Sequence, residues 1–314
     1  MRYTLNSRFR GAFAGAMLAL KLAKNNTSEY ISQAYIESTF SCKSLITQGR
    51  FDAEYFNALS PVEVSKQQLL FNTFFSALPV ALFFHENLLK LRHNLLEVAR
   101  AHSDNLVIRD SVLALGYAIA QSLHEKSQSS VLTEIIRFIG ETPTNVPQQL
   151  QTLNDLLKKQ VSLEQALTEL YKVNTVFNVV ATAFYTFLKT VEDFRLSVSL
   201  SLSSNVLSFV NHDYYLSSAI TGALSGAYNS AHGIPISWQM EYLRFNSTKS
   251  AENDFLQMLK LTDELLAVWS GAYEFDNQEP ESKGNSLCNY LPLLKENSHL
   301  CIYAAPRIIQ PRTP

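Results

Sequence analysis

Residues that interrupt helices are scarce in this sequence, which contains 10 glycines and 10 prolines among 314 residues. The glycine content is less than half of the roughly 7% that is usual in proteins. Apolar residues recur with helical spacing along most of the chain, and the alternating patterns of strands are rare. The sequence therefore predicts an all-α fold, a single compact multi-helix bundle.

Charge and cysteine are scarce as well. Charged residues make up 17% of the chain, the net charge is −2 and the isoelectric point is near 6.4. Nucleic-acid-binding proteins usually cluster Lys and Arg on one face, so no nucleic-acid partner is expected. The three cysteines, Cys42, Cys288 and Cys301, are odd in number and lack C-x-x-C spacing, which favours reduced thiols in a cytoplasmic protein.

Long uninterrupted apolar stretches are also missing. Residues 11–20 are apolar, but Lys21 and Lys24 follow too soon and no clear cleavage site is present, so a buried first helix is predicted instead of a signal peptide. The strongest apolar run, residues 69–84, is interrupted by Pro79 and is shorter than the ~20 residues of a spanning helix. No membrane span is expected.

Helical periodicity and start signals divide the chain into one domain and a tail. Ser162 followed by Gln165 predicts a capping box, and Pro79 and Pro235 are expected near helix starts. A helical domain is predicted over residues 1–275, and a polar loop and C-terminal tail over residues 276–314. The predicted helices are 7–24, 28–48, 52–58, 62–75, 79–98, 105–125, 129–139, 147–159, 162–171, 174–191, 192–203, 214–231, 235–245 and 250–272.

Familiar catalytic motifs are absent from the sequence. It contains no G-x-S-x-G, no G-x-x-x-x-G-K-[ST] and no H-E-x-x-H, so serine hydrolase, P-loop and zinc protease functions lack support. The histidines belong to no ligand pattern, and we expect them at the surface or as helix caps. They are His85, His93, His102, His124, His212, His232 and His299.

One stretch, V-N-H-D-Y-Y-L-S-S-A-I-T-G-A-L-S-G-A-Y over residues 210–228, joins two unlike halves. In the second half Ser218, Gly222 and Gly226 recur every four residues, so they line one helix face and allow another backbone to approach closely. This pattern predicts a helix deep in the bundle. The first half places Asp213 among aromatic residues, which the packing of a core helix does not explain.

Several stretches share an order and spacing across residues 7–245. They are R-F-R-G-A-F-A-G at 8–15, S-L-I-T-Q-G-R-F at 44–51 followed by Asp52, L-P-V-A-L-F at 78–83, A-H-S-D at 101–104, and 217–228 followed by G-I-P-I-S-W at 233–238. Together they resemble the ADP-ribosylglycohydrolase family, which includes the dinitrogenase-reductase activating glycohydrolase. The resemblance implies an all-α bundle with two central magnesium ions that hydrolyses the glycosidic bond between ADP-ribose and a side chain.

In that family a T/S-D-D-T motif and a G-G-D-T-D-T segment hold the ions, because hard divalent cations require several oxygen ligands, preferably anionic. The second segment falls here on residues 211–216, where Asp213 is retained and Tyr215 replaces the other acid. The first motif falls on residues 32–35, where both acids are absent. The magnesium ligands implied by the resemblance are therefore mostly missing, and we expect no metal cofactor.

The leading hypothesis is a degenerate family member, a pseudoenzyme that acts as a binding or regulatory module for a protein partner or a nucleotide-sugar-like ligand. Its aromatic side chains would stack on that ligand, or they would fill the cleft in which the family holds its metal ions. The candidate ligand-binding residues are Gln33, Tyr35, His212, Asp213, Tyr214 and Tyr215.

Two alternatives stay open at this point. In the first alternative, the chain is a divergent hydrolase of ADP-ribosyl or related N- or O-glycosidic bonds, in which Asp213 together with Glu29 or Glu37 positions water. Otherwise its role is structural, and the apolar surface around residues 69–84 meets a partner.

Overall fold

The fold consists of helices throughout the part of the chain that the computed structural model describes, which is residues 3–23, 28–53, 65–124, 130–173, 175–203, 214–245 and 249–272. The predicted all-α class is confirmed. Most of the predicted helix at 52–58 and the whole predicted tail at 276–314 lie outside the described residues. In chain order the helices are α1 (Leu5–Ala23), α2 (Ser28–Gln48), α3 (Lys66–Phe83), α4 (Leu88–His102), α5 (Leu106–Ser122), α6 (Val131–Ile139), α7 (Val146–Lys158), α8 (Leu163–Leu170), α9 (Phe177–Lys189), α10 (Phe194–Ser203), α11 (Tyr214–Asn229), α12 (Ile236–Phe245) and α13 (Lys249–Trp269).

Two glycine pairs allow α1 and α11 to cross at the centre of the bundle. A Cβ atom at Gly15 would lie 2.2 Å from the carbonyl oxygen of Gly222, and one at Gly11 would lie 2.3 Å from that of Gly226. No side chain fits at these distances, so the crossing requires glycine on both helices. The predicted close approach of a second backbone to α11 is confirmed, and α1 is the helix that makes it.

The interior of α3 differs from the prediction. Pro79 was expected near a helix start, yet α3 continues through it to Phe83. Proline has no N–H, so the carbonyl of Phe75, four residues earlier, loses its helical donor. The Ser38 hydroxyl donates to this carbonyl at 3.1 Å, which satisfies it from a neighbouring helix. The next helix begins at Leu88, where the Asn87 side chain accepts from the Lys90 N–H at 3.0 Å.

The apolar run at residues 69–84 packs inside the bundle. Its side chains from Leu70 to Leu82 are buried, apart from the half-buried Asn72. The hypothesis that this run meets a partner is therefore wrong, because the apolar side chains of α3 are buried against α2, α4 and α5. None of the described helices is both long and apolar enough to cross a bilayer.

Residues from two other predicted features satisfy the free backbone groups at helix ends. Arg8 is 2% exposed and donates from Nη1 to the carbonyls of Ser122 and Leu123, both at 3.1 Å, where α5 ends. A cation at a helix C-terminus satisfies free carbonyls and complements the helix dipole. The capping box predicted at Ser162 and Gln165 is present at the start of α8. These residues stabilise the framework that surrounds the candidate site.

Candidate functional site

An aromatic cluster joins the first turn of α11 to α2 and α3. The Tyr215 ring centroid lies 4.7 Å from that of Tyr30 and 6.0 Å from that of Phe71, and Tyr30 and Phe71 are 5.7 Å apart. Tyr215 is 6% exposed. Edge-on and tilted ring contacts of this kind add about 1 kcal/mol each to the burial of apolar area. The start of α11 is therefore held against α2 by three interlocking rings.

A polar cluster lies on the same helices and reaches the end of α4. We call it the Glu37 cluster, and it comprises Gln33, Glu37, Ser76 and His102. Glu37 is 5% exposed; its Oε1 accepts from Gln33 Nε2 at 2.8 Å and its Oε2 from the Ser76 hydroxyl at 2.9 Å. His102 Nε2 lies 3.1 Å from the Ser76 oxygen and 3.8 Å from Glu37 Oε2. Ser76 thus bridges a buried carboxyl group and a buried imidazole.

Burial controls the charges in this cluster. It raises the pKa of Glu37 to about 7, although the hydrogen bonds from Ser76 and Gln33 partly oppose the shift. It also lowers the pKa of His102 to about 3. Both shifts favour the neutral forms, because desolvation penalises the charged form of a buried group. The 3.8 Å contact between His102 and Glu37 is therefore a contact of neutral groups at mildly acidic pH. The Ser76 hydroxyl forms hydrogen bonds with both groups.

The predicted site residues separate into different environments. Gln33 belongs to the Glu37 cluster, whereas the Tyr35 hydroxyl donates to Gln257 Oε1 on α13 at 2.6 Å. Tyr215 joins the aromatic cluster described above. Tyr214 is the first residue of α11, and the predicted residues His212 and Asp213 lie outside the described residues.

Two histidines contradict the expectation of surface or capping positions. His102 has a side chain that is 4% exposed, and His85 is 3% exposed. The His85 ring lies 4.9 Å from that of Trp269, and its Nδ1 is 2.7 Å from the carbonyl oxygen of Leu82. Burial lowers the pKa of both imidazoles, so both are neutral and are accommodated in the interior.

Sequence reasoning missed Tyr30, Phe71 and Ser76. One signal was available, because residues 30, 33 and 37 recur at helical spacing and so share a face of α2. Their partners on α3 and α4 come from about 40 and 70 residues further along the chain, and spacing within one helix does not reveal such contacts.

The described residues do not fit a pair of magnesium ions. Glu37 is the buried acid of α2, and both of its oxygens already accept hydrogen bonds from side chains. Tyr215 supplies a phenol held among rings, and not the carboxylate that a hard cation prefers. Within the described ranges no group of three or more His, Cys, Asp or Glu side chains could hold a metal ion.

Comparison with known proteins gives one family match. Residues 42–274 match the model of the family described as ADP-ribosylglycohydrolase. This span is about three quarters of the 314 residues, and it includes the last third of α2 and all the helices from α3 to α13. Comparison with curated proteins gives no significant match.

Proposed function

The chain belongs to the ADP-ribosylglycohydrolase family, and from this premise we propose that it is a catalytically inactive member that acts as a binding or regulatory module in the cytoplasm. The observation that carries the proposal is the position of Tyr215. In the resemblance described above, the second acid of the magnesium site stands at this position. Here the side chain is a buried phenol in contact with Tyr30 and Phe71.

The chemistry of the reaction supports the proposal. A two-metal centre lowers the pKa of bound water and neutralises developing charge, and it requires several anionic oxygens to keep two dications in place. Gln33 and Tyr35 stand in the region of the first motif, and their polar atoms bind Glu37 and Gln257. A change from acids to neutral side chains removes the attraction for the ions while the helical framework is retained.

A second function is favoured by one specific observation, the raised pKa of Glu37. A carboxyl group that titrates near pH 7 suits general acid or base catalysis. The second candidate is therefore a divergent hydrolase of ADP-ribosyl or related glycosidic bonds in which Glu37 transfers protons. We rank it lower because Glu37 is 5% exposed and its oxygens are engaged by Gln33 and Ser76.

The experiment combines two measurements on the full chain, with an active member of the family as the positive control. Calorimetry with Mg²⁺ is expected to give no tight binding, and incubation with an ADP-ribosylated protein is expected to release no ADP-ribose. Calorimetry with ADP-ribose in the presence of a chelator then tests metal-independent binding. Turnover together with tight Mg²⁺ binding would refute the proposal. Turnover that is independent of metal and is lost in Glu37→Gln, but kept in Glu29→Gln, would establish the second candidate.

A further inference from the structure

An open pocket of about 690 Å³ lies between α6, α7 and α9, on helices other than those that carry the candidate site. We call it the lysine pocket. Ligand sites for small molecules usually have volumes of roughly 300 to 1,000 Å³ and combine apolar walls with a few polar groups. The lining residues are Leu132, Asn154, Leu157, Lys158, Gln160, Tyr185, Leu188 and Lys189.

The charge of the lysine pocket has one sign. Lys158 and Lys189 contribute two ammonium groups, and none of the eight described lining residues carries a carboxylate. Neither lysine forms an ion pair with a described acidic residue, although other lysines and arginines of the chain do, such as Lys172 with Glu169. The two lysines and the amides of Asn154 and Gln160 therefore place several N–H donors among the groups that line the pocket.

One ammonium group is fixed in position. Lys189 Nζ donates to the carbonyl oxygen of Val161 and, at 3.1 Å, to the Tyr185 hydroxyl. It also lies 5.2 Å from the centroid of the Tyr185 ring. Tyr185 is fully buried, and its own hydroxyl donates to Val161 at 2.5 Å. These contacts use two of the three donors of Lys189, so a third is available in a preorganised orientation.

The rim of the pocket includes the residue at which α7 ends. Gln160 follows the C-cap residue Lys159 and has a φ angle of 51°, the left-handed conformation in which many helices end. Gln160 lines the same pocket as the two lysines. The half-buried side chains of Leu157 and Leu188 provide an apolar part of the lining.

We propose that the lysine pocket binds a small organic phosphate, a phosphate monoester attached to an apolar or aromatic group. The two ammonium groups match the dianionic charge of such a phosphate, and lysine binds phosphate as a point charge. The leucines contact the organic part. The proposal is independent of the ADP-ribosylglycohydrolase-like site, since it uses none of the residues of the aromatic or Glu37 clusters.

The test is calorimetry on the full chain with naphthyl phosphate, and with naphthol and inorganic phosphate as partial ligands. Naphthyl phosphate is expected to bind more tightly than either partial ligand, and its affinity is expected to fall as the salt concentration rises. Lys158→Gln should weaken binding by roughly tenfold or more, because it removes a charge-assisted hydrogen bond. The matched control is Lys159→Gln, at an exposed neighbouring lysine that does not line the pocket, and it should leave the affinity unchanged.

Lys189→Gln should also weaken binding, but Lys189 supports Val161 as well, so thermal unfolding must accompany that measurement. Lys158 is exposed and makes no such contact, and its variant is therefore decisive. The proposal is overturned if naphthyl phosphate does not bind, if naphthol binds equally well, or if Lys158→Gln and Lys159→Gln have the same effect. The last result would indicate attraction by the general surface charge.

Discussion

The rings of Tyr215 and Tyr30 lie 4.7 Å apart and fasten the first turn of α11 to the first turn of α2. By the resemblance, an acid of the magnesium site would stand at position 215, and the acids of the first motif would stand at positions 33 and 34, within one turn of Tyr30 on α2. In this chain the ring at position 215 instead packs directly on the ring of Tyr30. The change from acid to aromatic residue at position 215 therefore gives a contact with α2 that needs no metal.

Tyr215→Asp restores the acid that the family has at this position, and it tests the contact. We expect the free energy of unfolding to fall by about 3 kcal/mol or more, because the substitution removes a buried ring and buries a carboxylate among rings. Urea unfolding measures the change. Tyr215→Phe is the control and should cost at most about 1.5 kcal/mol, since the ring is retained. Equal effects of the two substitutions would show that the hydroxyl, and not the ring packing, stabilises this contact.

Much of the framework could be predicted because it depends on local spacing. The repeat of Gly222 and Gly226 predicted a close helix crossing, and Ser162 with Gln165 predicted a helix start. Pro79 was misinterpreted because its cost is offset by Ser38, about 40 residues away in the sequence. The local sequence shows that proline lacks an N–H, but it does not show that a donor on another helix replaces it.

The candidate site was only partly predictable for the same reason. The absence of acids at residues 32–35 could be read from the sequence, and so could the presence of Tyr215. The Glu37 cluster could not be read, since it brings together residues of α2, α3 and α4. The burial that makes His102 neutral is likewise a property of the assembled bundle. Residue type alone favours a partly exposed histidine.

Gly222→Ala tests the helix crossing. A Cβ atom at Gly222 would lie 2.2 Å from the carbonyl oxygen of Gly15. This oxygen belongs to the backbone, so no change of side-chain rotamer can relieve the clash. We expect a loss of about 3 kcal/mol or more in the free energy of unfolding, at the upper end of overpacking effects. Gly49→Ala is the control: a Cβ atom there has nothing within 4 Å, and only the φ of +67° opposes alanine. It should cost roughly 1 to 2 kcal/mol.

Glu37→Gln tests the protonation of the polar cluster. The folded chain keeps the Glu37 proton up to a pKa of about 7, while the reference pKa of the unfolded chain is 4.5. Unfolding between these pH values releases the proton, so the free energy of unfolding falls as pH rises from 4.5 to 7 and levels off above. The total change is on the order of 3 kcal/mol.

Glutamine keeps one acceptor oxygen and does not titrate, so the free energy of unfolding of Glu37→Gln, relative to that of the wild type, should rise as pH increases over this range. His102 titrates in the opposite sense, because its folded pKa is lowered, and for this reason the difference between the two proteins is the quantity to measure. Urea unfolding at a series of pH values provides it. Glu29→Gln, at an exposed position of the same helix, should follow the wild type. Parallel curves for wild type and Glu37→Gln would mean that Glu37 titrates normally.

Two arginines of α1 provide the last test, which separates a buried cation from an exposed one. Arg8 is 2% exposed and donates to the last carbonyls of α5, whereas Arg10 is partly exposed and pairs with Asp263 on α13, with Nε 2.7 Å from Oδ1. Arg8→Met should lower the free energy of unfolding by about 3 kcal/mol or more, because it removes the hydrogen bonds of a buried cation to two carbonyls at the end of α5. Arg10→Met should cost less than about 1 kcal/mol, as exposed ion pairs do. Thermal and urea unfolding of both variants measure the difference, and a larger loss for Arg10→Met would show that α1 is held by its contact with α13 more than by its contact with α5.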